Sequence, residues 1–146
     1  MNRSKNILTL VLLFTLSCGL WSCKKDDQED SVSLIGKWHI EQDNGTVQQP
    51  GEAIQKTTTS YARGEFTLEF IGTHTIKLFE EGRLRTYPYN YDANSMLLSI
   101  KLDDGDFMEY KVKELSKHRL VLFGGGTEIS NGVNFSYTQE LICSRD

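Results

Sequence analysis

Met96-Leu97-Leu98-Ser99-Ile100-Lys101-Leu102-Asp103-Asp104-Gly105-Asp106-Phe107-Met108-Glu109-Tyr110-Lys111-Val112 is the stretch that decides the fold class. Met96, Leu98, Ile100 and Leu102 alternate on the way into Asp103-Asp104-Gly105, and Met108, Tyr110 and Val112 alternate on the way out. A period of two places every second side chain on one face of a strand. Asp-Gly supplies the positive-φ positions that a tight connection between antiparallel strands needs. The stretch therefore reads as a β-hairpin with one apolar face.

The same pattern extends in both directions. Residues 119–123 are short and largely apolar, and residues 133–143 put Phe135, Tyr137, Leu141 and Cys143 on one face. Between them Gly124-Gly125-Gly126 reads as a flexible turn and Asn131-Gly132 as a second one. Upstream, residues 83–91 put Tyr87, Tyr89 and Tyr91 on one face and Leu84 on the other, while Pro88, which has no N–H for a ladder, suggests an edge or a bulge. Phe66, Leu68 and Phe70 alternate before Gly72, and residues 74–80 follow up to Glu81-Gly82. Residues 34–42 form the first strand, ended by Asp43-Asn44-Gly45.

No amphipathic helix stands out. About eight short antiparallel strands with tight turns predict an all-β, up-and-down antiparallel β-barrel, since closure removes the exposed edges of an open sheet. Residues 45–63, rich in Gln, Thr and Gly, depart from the pattern and are longer than an ordinary connection. They read as a lid, an insertion or a poorly marked element, with residues 57–61 a candidate extra strand.

At the N-terminus Arg3 and Lys5 precede an apolar run from Ile7 to Trp21. That run is short of the ~20 residues of a spanning helix and suits a secretory signal. It closes on Leu20-Trp21-Ser22-Cys23, which reads as a bacterial lipobox: an aliphatic residue three before the cysteine, a small residue just before it, and a thiol to accept a diacylglyceryl group. Cys18 is the competing acceptor, but it lacks the aliphatic residue three before. The expected organisation is a signal peptide over 1–22, an acylated Cys23 with a charged tether over 23–33, and one domain over 34–146. Two or three acyl chains, at ~0.8 kcal/mol per buried CH₂, hold such a protein to a membrane durably. Cys23-Lys24-Lys25-Asp26-Asp27-Gln28-Glu29 resembles the export signal that carries lipoproteins to the outer face of the outer membrane in certain Gram-negative bacteria. An outer-membrane lipoprotein is therefore expected, facing the cell surface or, alternatively, the periplasm.

Removing residues 1–22 takes away two of the 16 basic residues and none of the 20 acidic ones, so the mature chain carries a net charge of −6. With no basic cluster interleaved with aromatics, nucleic acid is not an expected partner. Cys18 leaves with the signal and Cys23 is acylated, so Cys143 stands alone and the domain has no internal disulfide. Cys143 is expected to be a small core hydrophobe.

Leu34-Ile35-Gly36-Lys37-Trp38, Phe66-Thr67-Leu68-Glu69-Phe70, Gly72-Thr73-His74-Thr75, Tyr89-Asn90-Tyr91, Leu97-Leu98-Ser99-Ile100 and the run from Tyr110-Lys111-Val112 through Leu115 to Arg119-Leu120-Val121-Leu122 together resemble the lipocalin-like domains of small bacterial lipoproteins. The resemblance covers most of the chain after Leu34. It implies a barrel with an interior cup, in which Gly36 lets the chain bend, Trp38 closes one end and Arg145 caps that tryptophan. It leaves open whether the cup is empty or filled by side chains, as small barrels often are.

His39, His74 and His118 fall on separate segments without metal-ligand spacing, so no metal is expected. No nucleophile motif, catalytic residue or phosphate-cradling loop is found, and neither enzymatic activity nor a cofactor is expected. Tyr87, Tyr89 and Tyr91 are candidate ligand or surface contacts, with plain inward packing as the alternative. The expected function is that of a monomeric, membrane-tethered, non-enzymatic protein binding a small apolar or amphipathic ligand in the cup. The alternative is a cell-surface module that engages a protein or glycan through its outer surface or loops.

Overall fold

Alternating apolar residues become nine β-strands in a computed structural model that describes residues 32–146. They are β1 (Gly36–Gln48), β2 (Gln55–Ser60), β3 (Phe66–Ile71), β4 (Thr75–Glu80), β5 (Arg83–Asp92), β6 (Leu97–Lys101), β7 (Phe107–Leu115), β8 (Arg119–Ser130) and β9 (Val133–Ser144). The signal peptide, Cys23 and the tether up to Ser31 lie outside the described residues. There is no helix among those described.

Every strand pair is antiparallel. β3 to β8 each pair with the next in sequence, and β1 closes the ring by pairing with β3 through residues 36–39 and with β9 through residues 39–48. The result is a closed eight-stranded up-and-down barrel. β2 is the extra strand: it lies beside the far half of β1, from Gln42 opposite Ser60 to Val47 opposite Gln55.

Two local expectations are corrected. Asp43-Asn44-Gly45 does not end the first strand but runs inside it, because β9 and β2 both supply ladder partners to that half of β1. Gly124-Gly125-Gly126 is not a turn either, but the middle of β8. A Cβ on Gly125 would stand 2.6 Å from the Tyr137 carbonyl oxygen, and one on Gly124 would stand 2.9 Å from the Glu109 carbonyl oxygen. Glycine is required there by crowding between strands, not by a bend.

The core follows the period-two pattern. Trp38, Phe70, Ile76, Leu98, Ile100, Val112, Leu120, Leu122 and Cys143 are fully buried inside the barrel. Cys143 is free, and burial pushes its thiol up to about 12, so it is an inert part of the packing.

Past the barrel wall β1, β2, β8 and β9 continue as a four-stranded flange. β7 accompanies β8 only as far as the Tyr110–Gly124 pair, while β8 and β9 stay paired out to Ser130 and Val133. The flange is polar and largely exposed. Its outer face is laced by side chains: Gln42 Nε2 donates to Asn44 Oδ1 at 2.8 Å, Thr58 Oγ1 donates to the same oxygen at 3.0 Å, and the Thr46 and Thr138 hydroxyls meet at 2.6 Å.

Candidate functional site

The two ends of the barrel differ. At one end Trp38 fills the interior, its Nε1 donating to the Leu34 carbonyl at 2.9 Å. The Arg145 guanidinium carbon lies 4.2 Å from the centre of the Trp38 ring. Arg145 Nη1 donates to the Ile35 carbonyl at 2.9 Å and Nε to the Lys117 carbonyl at 2.7 Å, tying the lead-in of β1 to the β7–β8 turn. Gly36, at φ 125°, leaves the room: a Cβ there would press on Arg145 Nη1 at 3.3 Å. The structure thus brings Gly36, Trp38 and Arg145 together at the plugged end.

Tyr87, Tyr89 and Tyr91 share the inward face of β5, and two of the three are committed to packing. Tyr89 donates to the Gly72 carbonyl at 2.6 Å and stands edge-on to Phe70, with ring centres 5.1 Å apart. Tyr91 donates to Met96 Sδ at 3.3 Å. Burial raises both phenols above their ordinary pKa. Only Tyr87 reaches the opposite end, where it lines a depression of about 440 Å³ with Arg83, Arg85, Glu80 and Met108.

At that opposite end the barrel is open. A cup of about 220 Å³ sinks between Ile40, Leu68, Leu78, Ile100, Leu122 and Leu141. Tyr61 and Phe66, with ring centres 4.3 Å apart, form an aromatic pair on its lining. A trough of about 550 Å³ continues from the cup along the inner face of the flange, and Asp43 and Gln139 belong to both.

Asp43 is turned inward by a break in the strand. The β1–β9 register shifts between Ile40 and Gln42, so Glu41 is a bulge residue and the side-chain alternation slips by one. Ile40 faces the core and, past the bulge, Asp43 comes to stand opposite inward-facing Leu141. The bulge is fastened on both sides: Ser144 Oγ donates to Glu41 Oε1 at 2.5 Å, and the Tyr61 N–H donates to the Glu41 carbonyl at 3.0 Å, which sets Tyr61 near the cup.

A hydrogen-bond relay crosses this region. The Tyr110 hydroxyl donates to Gln139 Oε1 at 2.9 Å, and Gln139 Nε2 donates to Asp43 Oδ2 at 2.8 Å. Burial, reinforced by the Asp43 carboxylate, pushes Tyr110 up to about 12 and keeps it a donor. Tyr61 is raised by burial first, then by Asp43 and Glu80. Asp43 Oδ1 is closed off and has no hydrogen-bond partner among the described residues.

Asp43, Glu80 and Gln139 did not stand out as site residues from the sequence. Gln139 had a signal: it is the polar member of the face that carries Phe135, Tyr137, Leu141 and Cys143. Asp43 had none, because its direction depends on the bulge. The histidines lie apart: His39 on β1, His74 before β4 and His118 in the β7–β8 turn. Among the described residues no group of three or more His, Cys, Asp or Glu side chains converges as a metal site would require.

Comparison with protein-family models, with curated proteins and with solved structures finds no match to the chain.

Proposed function

We propose that this chain is a lipid-tethered, non-enzymatic binding protein of the lipocalin-like kind, which takes a small apolar or amphipathic ligand in the open end of its barrel. The observation that carries this reading is the asymmetry of the interior: one end is plugged by Trp38 under Arg145, while the other keeps a cup of about 220 Å³ with an apolar wall and a few convergent polar groups. The cup alone is smaller than the ~300–1,000 Å³ of sites for drug-sized ligands. It therefore suits a small ligand, or one end of a longer one that lies along the trough.

Fluorescence titration of the full chain with the neutral probe N-phenyl-1-naphthylamine tests the cup. Enhancement in the wild type, lost in Met108→Trp, is the expected result, because Met108 lines both the cup and the adjoining depression. No enhancement, together with no small molecule in native mass spectra of the purified protein, overturns it.

Attachment through acylated Cys23 to the outer membrane, with the domain at the cell surface or on the periplasmic side, is part of the same proposal. It rests on the Leu20-Trp21-Ser22-Cys23 motif and the charged residues after it. Cys23→Ala releases the protein from the membrane fraction if this is right, and acylation at Cys18 in that variant overturns the assignment.

A second reading, an interaction module for a protein or glycan, is favoured by the flange. Ile129, Val133 and Tyr137 are exposed there, and the outer edge of β8 past Gly124 has no strand partner among the described residues.

A further inference from the structure

Asp43 is half-buried, and one of its two carboxylate oxygens meets neither solvent nor a donor among the described residues. A carboxylate oxygen without solvent or a donor destabilises a fold, and such atoms are rare unless something completes them. The surrounding groups do not. Gln139 spends its amide N–H on Oδ2 and its carbonyl on Tyr110, so both ends of that side chain are engaged, and Oδ1 is left alone.

Charge around the cup points one way. Its lining holds two carboxylates, Asp43 and Glu80, and no Lys, Arg or His. Arg83 and Arg85 belong to the neighbouring depression, whose lining they share with three carboxylates, Glu80, Asp103 and Asp104. A ligand that brings a positive charge is therefore matched on entry and inside, whereas an anion meets two like charges with no counter-ion. Tyr61 and Phe66 add aromatic rings to the lining, a surface that favours an organic cation.

We propose that the ligand of this cup is a small organic amine in its protonated form, with its ammonium hydrogen-bonded to the Asp43 carboxylate and a short alkyl or aryl body against Leu68, Leu78, Ile100 and Leu122. The proposal rests on the cup being a binding site and adds the chemical class that it takes. An ammonium carries several N–H donors and completes the carboxylate that Gln139 completes only in part. Asp43 and Gln139 both line the cup, so the ammonium meets the carboxylate there, while the Tyr110–Gln139 bond holds the far side of the site in place.

Isothermal titration of the full chain in detergent with 2-phenylethylamine, 2-phenylethanol and 3-phenylpropanoate tests this, since the three share a body and differ in the head. In the wild type the amine binds best and the carboxylate worst, with about tenfold or more between the amine and the alcohol. Asp43→Asn, close in shape and without the charge, loses that tenfold for the amine and leaves the alcohol within about threefold. If the alcohol or the carboxylate binds the wild type as tightly as the amine, or if a folded Asp43→Asn variant keeps the amine preference, the amine proposal falls while the cup stands. If none of the three binds and Met108→Trp changes nothing, the cup reading falls and takes the amine with it. The ligand series on the wild type decides the matter even where the variant is poorly folded.

Discussion

The barrel body and the flange are built from the same strands and held by different forces. β1, β8 and β9 run through both without interruption, yet within the barrel they contribute Trp38, Leu120, Leu122 and Cys143 to a buried interior, and beyond it they contribute Thr46, Asn44, Thr138 and Glu140 to a half-buried polar face. Fully burying a Leu, Ile or Phe side chain is worth ~1.5–3 kcal/mol, whereas a cross-strand pair contributes ~0.2–1 kcal/mol. The backbone ladder is indifferent to this change and carries on. A strand can thus be extended past its core at small cost, and the extension is only as stable as the barrel that anchors it. The cup sits at the seam, with Asp43 and Gln139 on strands that cross from one regime to the other.

That contrast can be broken most severely from the body. Trp38→Ala removes the plug and leaves a void beneath Arg145. A loss of about 3–5 kcal/mol is expected, read as a fall in the denaturant midpoint in which barrel and flange unfold together. A flange that retained its protection after the barrel had lost its own would refute the dependence of one on the other.

Gly125→Val attacks the seam from the flange side. The new Cβ would meet the Tyr137 carbonyl oxygen at 2.6 Å, and backbone has to yield. About 1–3 kcal/mol of destabilisation is expected, with loss of hydrogen-exchange protection concentrated in residues 125–138 and little change around Leu98 and Val112. Uniform loss across the barrel would mean that the two regions do not separate energetically.

Thr46→Val is milder. It removes one hydroxyl from the 2.6 Å pair with Thr138 on a surface that water can reach. About 0.5–1 kcal/mol is expected, visible as faster amide exchange in the outer halves of β1 and β9 and absent from global unfolding curves.

The smallest effect sharpens the comparison through pH. His39 lies on the body, and burial first, then Arg63 and Lys37, holds its pKa below the ordinary 6.5. Folded His39 stays neutral where the unfolded chain takes up a proton, so stability falls as pH drops below 6.5 and stops falling on this account once the folded group also protonates. His39→Gln should flatten the part of the stability slope that lies just below pH 6.5, measured by urea unfolding across pH 7 to 5. An unchanged slope would place that proton uptake elsewhere.

The barrel was legible because strand alternation and hairpin turns are local properties of the sequence. Asp103-Asp104-Gly105 and Glu81-Gly82 announce their turns, and the faces of β5, β6 and β7 follow directly from period two. The ends of elements were less legible where tertiary pairing overrides composition. Asn44-Gly45 turns a chain that has no partner, but here β9 and β2 flank it and keep it extended; three glycines bend a free chain, but here they relieve a crowded one. The plugged end showed itself through Gly36, Trp38 and Arg145 because large and small residues there have few other uses. The open end did not, since Asp43 faces inward only by virtue of a one-residue bulge, and a bulge has no residue signature of its own in this chain.

Closure by the first and last strands also sets an order in time. The bonds that seal the ring, such as Asn44 to Glu140 and Gln139 to Asp43, join positions 96 residues apart, and Ser144 reaches back 103 residues to Glu41. β3 to β8 can zip by short hairpins as the chain emerges, but β1 has to wait for β9 before its long edge is satisfied. Long-range closure of this kind is slow, so sealing is expected to come late in folding. The relay at the mouth exists only after it, so a chain that has not finished folding has no site to offer.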